Sequence, residues 1–358
     1  MSASLSGVAT EIAAAPDAIL SMLVTPQRQV IAFGCNEEIS GTFNSRCIRW
    51  CDLENYEVWT SSATNNAGEH ILDGGDAIIA ARQIGEIIAV WTVSALYTMQ
   101  FVGDPAQTFA FTKIADHCGL AGPEAVCTAS GAAWWLAPDR RFRMWAPGTL
   151  PETIASPIGR DLADAISAKI MLTILAPVTR YDEIWCFYAD ANDGAITYPS
   201  RYVAFNRKDN AWFKGVMARS AVAAVDPVTP ETHGYYAAQG LSIFEQDKGN
   251  TANGQALEWH IESADQYVEQ GGRRMMLRGV RCDFEDQAGD ISLSIKARGL
   301  PGGPESTHGP FTLTTATTKK DFRASGRIMR VRMSGGQASG SYMRLGRLTF
   351  DAVAMGER

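Results

Sequence analysis

The chain has 358 residues, 46% hydrophobic and 20% charged, with 33 glycines and 15 prolines. That length supports a sizeable core and more than one domain, and short apolar runs punctuated by glycine favour an all-β architecture over a helical one. The net charge of −7 excludes a uniformly basic nucleic-acid binder, and the lack of any run of about 18 apolar residues argues against a transmembrane helix.

Residues 1–30 read as an N-terminal arm. This stretch has no basic leader, and Pro16-Asp17 interrupts its apolar run, so it does not read as a signal peptide. Gln29–Phe33 and Cys47–Trp50 then read as strands. Asp52–Trp59 holds a turn at Glu54-Asn55, and the polar Thr60–Gly75 reads as a long surface loop before a strand at Ala77–Ala81.

From there an aromatic hairpin recurs at roughly fifty-residue intervals, a period typical of propellers and arrays. The copies are Gly85–Gly103, Gly131–Gly148, Asp182–Gly215 and Gly234–Gly249. No copy buries its aromatic face alone, so neighbours must stack. Between the second and third, Leu162, Ile166, Ile170 and Ile174 suit one short amphipathic helix, whose second half equally reads as a strand leading to Pro177.

Near Asn250–Gln255 polar turn residues coincide with a change of charge. Residues 1–254 carry 17 Lys+Arg against 27 Asp+Glu, and residues 255–358 carry 15 against 12. The expected organisation is therefore a β-propeller-like domain over 31–254 and a β-sandwich- or jelly-roll-like domain over 255–358. Period-two strands are expected there at Met275–Val280, Ile291–Ile295, Phe311–Thr315, Ile328–Met333 and Arg344–Phe350, with a Gly/Pro-rich insert at Gly299–Pro310.

Little in the sequence points to chemistry. The seven cysteines are odd in number and scattered, which argues against a disulfide framework and for folding in a reducing compartment. Cys35, Cys47, Cys51 and His70 match no standard zinc spacing, and Asp116-His117-Cys118 are adjacent rather than convergent. The pairs Glu37-Glu38 and Asp182-Glu183 say nothing in favour of a glycosidase, whose carboxylates come from separate elements. Asp190–Gly194 falls short of a calcium loop, and Gly299–Gly303 is no phosphate cradle. No catalytic residue, metal or cofactor is expected. Arg323, Arg327, Arg330 and Arg332 flank and line one strand, either as a docking stripe for an acidic neighbour or as an ordinary solvated face.

Seven segments go beyond generic propeller grammar: Cys47–Thr60, Thr64–Gly75, Val90–Gly103, Ala115–Pro123, Arg201–Arg219, Lys319–Arg332 and Tyr342–Phe350. In this order the chain resembles the tail nozzle, or packaged-DNA stabilisation, proteins of short-tailed bacteriophages. The resemblance covers most of residues 30 to 358. It departs from the family's pattern at Ser220–Gly240, which is irregular and carries the proline-rich Val225–Pro230.

The resemblance implies a β-propeller with additional β-structure, assembled as a ring, typically a hexamer, beneath the portal and its adaptor. The implied protein is a virion component, assembled in the host cytoplasm, that retains packaged double-stranded DNA and then passes it. It implies no enzymatic activity. In that setting Asp73 and Asp76 are expected to face the channel and repel phosphate, and Arg327, Arg330 and Arg332 to dock neighbouring subunits. The alternatives are a receptor- or glycan-binding tail propeller, with Trp134 and Trp135 in an exposed cleft, and a propeller-type glycosidase.

Overall fold

A computed structural model describes residues 11–74, 76–104, 107–166, 168–194, 197–224, 235–246, 249–267, 273–336, 338 and 340–356. The chain divides into two units, Met1–Gln246 and Asp247–Arg358. The change of charge and turn composition had placed this division at 254/255.

The first unit is a series of five antiparallel meanders. Sheet one contains β1 (Ile19–Val24), β2 (Val30–Asn36), β3 (Phe43–Trp50) and β4 (Gly68–Ile71). Sheet two contains β5 (Ile78–Ile84), β6 (Ile87–Thr92), β7 (Ala95–Asp104) and β8 (Gln107–Asp116). Sheet three contains β9 (Val126–Ala129), β10 (Ala132–Leu136), β11 (Phe142–Trp145) and β12 (Glu152–Thr153). After the helix α1 (Gly159–Ala165) comes sheet four, with β13 (Ile174–Val178), β14 (Glu183–Tyr188), β15 (Arg201–Asn206) and β16 (Ala211–Val216). Sheet five contains β17 (Ala221–Ala224), β18 (Tyr235–Gln239) and β19 (Ser242–Glu245).

The first strand of each sheet lies against the first strand of the next: β1 on β5, β5 on β9, β9 on β13 and β13 on β17. Successive up-and-down sheets joined through their leading strands make this unit β-propeller-like. A sheet between two neighbours must be apolar on both faces, and the strands show it. All five residues of β10 (AAWWL) and five of the six in β6 (IIAVWT) are buried. Trp134 packs towards Phe205 of sheet four, while Trp135 meets Trp91 of sheet two.

The second unit is a β-sandwich. One sheet runs in the order β20 (Trp259–Glu262), β26 (Ile328–Gly335), β23 (Ile291–Arg298) and β24 (Glu305–Leu313), with β21 (Gln266–Tyr267) also pairing β26. The other is ordered β25 (Lys319–Gly326), β22 (Met275–Ala288) and β27 (Tyr342–Ala354). Strand β23 alternates strictly between buried and half-buried residues, as a strand with one core face must. Its Ile291, Leu293 and Ile295 join Leu277, Val280 and Phe322 of the facing sheet in one core.

Several local expectations change. Ile19–Val24, within the expected arm, is the first strand of sheet one and pairs in register with β2, Val24 opposite Val30. The polar stretch 60–75 contains β4, held by pairing to Cys47–Trp50. The expected helix is one short element of about two turns, and the chain is extended again from Ile174. Glu305–Pro310, in the expected insert, forms most of β24. The proline-rich 225–230 lies outside the described residues.

Candidate functional site

Two features of the first unit stand apart from its packed core. The first is a cleft of about 600 Å³ between sheets one and two, lined by Glu38, Trp50, Glu69, His70, Thr108 and Phe111 among others. Gly68 makes room for it, since a Cβ there would stand 2.9 Å from the Trp50 ring. The Trp50 Nε1 donates to the Asn66 carbonyl at 2.7 Å, and the Thr108 hydroxyl donates to the same oxygen at 3.1 Å. Trp50 then meets Phe109 edge to face, with centroids 5.1 Å apart.

Both carboxylates of the cleft are fixed by the backbone. Glu69 Oε2 accepts from the Glu38 N–H at 2.8 Å, and Glu38 Oε1 accepts from the Ser61 N–H at 2.8 Å. His70 stacks on Phe111 with centroids 3.9 Å apart and planes 11° from parallel. Burial pushes the imidazole below its ordinary pKa, against the opposing pull of Asp73. A neutral imidazole, two held carboxylates and aromatic edges can accept hydrogen bonds and stack on a flat ligand. The nearby Cys47 thiol is fully buried.

The second feature is an uncovered apolar surface. On sheet one, Ile12, Ala15, Met22, Val30, Tyr56 and Trp59 line a groove of about 430 Å³. Met22 and Val24 are 63% and 64% exposed. On sheet five, Val222 packs towards sheet four, while Ile243 is 78% exposed on the opposite face, paired with the half-buried Ala238. Sequence reasoning missed both surfaces. The signal was Leu20, Met22 and Val24 alternating within the segment read as an arm.

The expected site residues are dispersed. Arg330 donates from Nε to Asp265 Oδ1 at 2.6 Å and from Nη1 to Glu262 Oε1 at 3.2 Å. Arg332 reaches Glu262 at 3.4 Å, Lys296 donates to Glu262 at 2.8 Å, and Arg298 pairs with Asp265. Arg330 and Arg332 thus make ion pairs within their own unit, where four cations share Glu262 and Asp265. The Arg327 backbone N–H donates to the Arg298 carbonyl at 3.1 Å. Asp73 and Asp76 lie on the link from β4 to β5. The Asp73 carbonyl accepts from the Tyr97 hydroxyl at 2.8 Å, and the Asp76 carboxylate accepts from Ser94.

Other sequence candidates resolve into packing. Cys35, Cys47 and Cys51 are buried together against Trp59, and among the described residues no cluster of His, Cys, Asp and Glu is arranged to hold a metal. Cys118 is buried while the adjacent His117 is exposed at φ 58°. Asp190 and Asp193 pair with Arg201 at 2.7 and 3.1 Å, closing the Asp190–Gly194 turn. Trp134 and Trp135 are buried, so the exposed tryptophan cleft expected of a glycan binder is not formed by them. Trp134 is packed towards sheet four and Trp135 towards sheet two instead. Among the described residues no helix is long and apolar enough to cross a membrane.

Comparison with protein families and with curated proteins finds no match. Among solved structures the chain is similar to the extracellular domain of a one-component system from B. thetaiotaomicron, at 11% identity and a TM-score of 0.40, over 64% of this chain and 26% of that one. It is also similar to the N-terminal domain of Nup159, at 10% identity and a TM-score of 0.34, over 55% and 47% of the two chains. A third is an exo-β-1,3-galactanase from Phanerochaete chrysosporium, at 8% identity and a TM-score of 0.32, over 92% and 94%. The chain thus spans about a quarter of the first of these proteins and about half of the second.

Proposed function

We propose that this chain is a structural, non-enzymatic subunit of a bacteriophage tail. In this reading it is a nozzle or tail-tube component that joins its own copies into a ring and holds, then passes, packaged double-stranded DNA. One observation carries the reading: Leu20, Met22 and Val24 stand exposed in a row along one face of β1, at the edge of a unit with a large packed core. Contiguous exposed apolar surface on such a scaffold is the mark of an assembly contact. The seven segments that resemble tail nozzle proteins give the assembly its kind.

The acidic excess of residues 1–254 suits a wall past which DNA must slide, because a basic wall would hold phosphates by counterion release. Asp73 and Asp76 are proposed to face that channel, and the ring is proposed to meet the portal, its adaptor and other tail proteins in the virion. Electron microscopy of the purified chain, alone and with a portal–adaptor complex, tests this. Closed rings with an open axis are expected. A chain that stays monomeric at every concentration, and is not recruited by the connector, would end the proposal.

The cleft between sheets one and two favours a second reading, a tail protein that recognises a receptor saccharide. Fixed carboxylates, hydroxyls and an aromatic stack are groups suited to sugar hydroxyls and ring faces. Glycan binding abolished by Glu69→Ala in a chain that does not form rings would select this reading over the first.

A further inference from the structure

Residues 1–254 are acidic as a whole, yet positive charge gathers at one place beside sheet three. A cavity of about 470 Å³ there is lined by the turn between β10 and β11, the stretch after β12 and helix α1. Its volume falls within the range of small-molecule sites. Arg140, Arg141 and Arg160 line it, with Asp139 as the one carboxylate among the lining residues. Three arginines less one aspartate leave two positive charges.

Local structure does not neutralise them. Asp139 Oδ2 accepts from Arg143 at 2.7 Å and Oδ1 from the Arg141 backbone N–H at 3.1 Å, so both its oxygens are engaged. Asp161, in the first turn of α1, pairs with Lys214 at 3.2 Å. Among the described residues no carboxylate stands at ion-pair distance from Arg140, Arg141 or Arg160. Arg140 donates from Nη1 to the Ala163 carbonyl, one contact of a group with five donors.

An orphaned hydroxyl lies in the same cavity. The Ser156 Oγ is buried and has no hydrogen-bond partner among the described residues. A buried hydroxyl left unpaired is destabilising, and native structures meet such groups with a ligand or water. Guanidinium forks and a hydroxyl donor match the oxygens of a phosphate, which accepts several charge-assisted hydrogen bonds at once. Two net positive charges suit the near-dianion of a phosphomonoester at neutral pH better than the single charge of a backbone phosphodiester.

We propose that this cavity binds a small phosphomonoester of about the size of a sugar phosphate. Its phosphate lies between Arg140, Arg141, Arg160 and the Ser156 hydroxyl, and its organic part lies against Phe142 and Ile154, which also line the cavity. The site goes beyond the proposed assembly function and does not depend on it.

Calorimetric titration of the full chain with ribose phosphate, inorganic phosphate, ribose and duplex DNA lacking terminal phosphates tests this, at about 0.15 M salt to screen loose attraction. Ribose phosphate should bind, inorganic phosphate should displace it, and ribose should not bind. Arg141 and Arg160 are exposed, so the double variant Arg141→Gln/Arg160→Gln should keep the wild-type thermal midpoint while affinity falls about tenfold or more. Ser156→Ala removes the unpaired hydroxyl, so the free chain should lose no stability while binding weakens several-fold. No binding of ribose phosphate at millimolar concentration, or wild-type affinity in the double variant, would overturn the proposal. Duplex DNA that binds through these arginines when ribose phosphate does not would overturn the assignment to a small ligand.

Discussion

Trp91 of sheet two and Trp135 of sheet three meet edge to face, with ring centroids 5.6 Å apart, and both are fully buried. The Trp135 Nε1 also donates to the Cys118 and Gly119 carbonyls, each at 3.1 Å. The pair fixes the junction between two propeller sheets through packing and through a hydrogen bond to the link between them. Trp135→Ala removes the ring, orphans those carbonyls and leaves a cavity, which should cost about 3–5 kcal/mol. Urea unfolding of the full chain measures it. A loss below about 1 kcal/mol would show that the sheets do not depend on one another here.

Gly119 lies where that link passes closest to its neighbour. A Cβ at this position would run into the Val93 carbonyl, and backbone cannot move aside as a side chain can. Gly131 is the contrasting case, a hairpin glycine at φ +73° with open space around it. Gly131→Ala should therefore cost about 1–2 kcal/mol, the ordinary penalty for a left-handed residue. Gly119→Ala should cost clearly more, with parallel loss of soluble protein and of the thermal midpoint. Equal costs would mean that the link relaxes freely.

Much of the scaffold was legible because its determinants are local. The hairpin at Gly85–Gly103 matches β6 and β7, and the one at Gly131–Gly148 contains β10 and β11, since two apolar runs around a short turn, Val93-Ser94 in one and Ala137–Arg141 in the other, specify both strands. What escaped depends on distant partners. Strand β4 (GEHI) has no apolar alternation and is a strand because Cys47–Trp50 supplies its hydrogen bonds. Strand β1 looks like an arm until β2 pairs with it.

The same holds for the candidate sites. Arg330 looked like a free docking charge because its partners, Glu262 and Asp265, lie more than sixty positions away. The cleft was invisible for the same reason, as it brings Glu38, Glu69 and Phe111 together from three separate stretches.

The Arg330 network makes the second unit sensitive to acid. The hydrogen bond from Lys296, reinforced by Arg330 and Arg332, holds the Glu262 carboxyl below its ordinary pKa. Arg330, with Arg298, does the same for Asp265. A depressed folded-state pKa means that the unfolded chain binds protons first as pH falls. The stabilisation is therefore complete above the ordinary carboxylate range near pH 4 and is lost as pH drops through the lower folded values. The unfolding midpoint of the second unit should fall between about pH 5 and pH 3, and Glu262→Gln should flatten that dependence. A variant with the wild-type slope would place the acid sensitivity elsewhere.

The thiols give a separate measure of how tightly the sheets close. All seven cysteines are free and buried. Burial pushes the Cys127 thiol up to about 12 and raises Cys186 as well. Within sheet one, Cys47 is raised by its hydrogen bond with Cys35 and by burial, while the same contact holds Cys35 below its usual value. Because the thiolate is the reacting form, an aromatic disulfide reagent at about pH 8 should leave the folded chain unlabelled and label every cysteine once denaturant is added. In mild denaturant Cys35, Cys47 and Cys51 should react together, since opening the outer face of sheet one exposes all three. Rapid labelling of Cys127 or Cys186 in the native chain would mean that sheets three and four open on their own, and the stacked-sheet core would have to be abandoned.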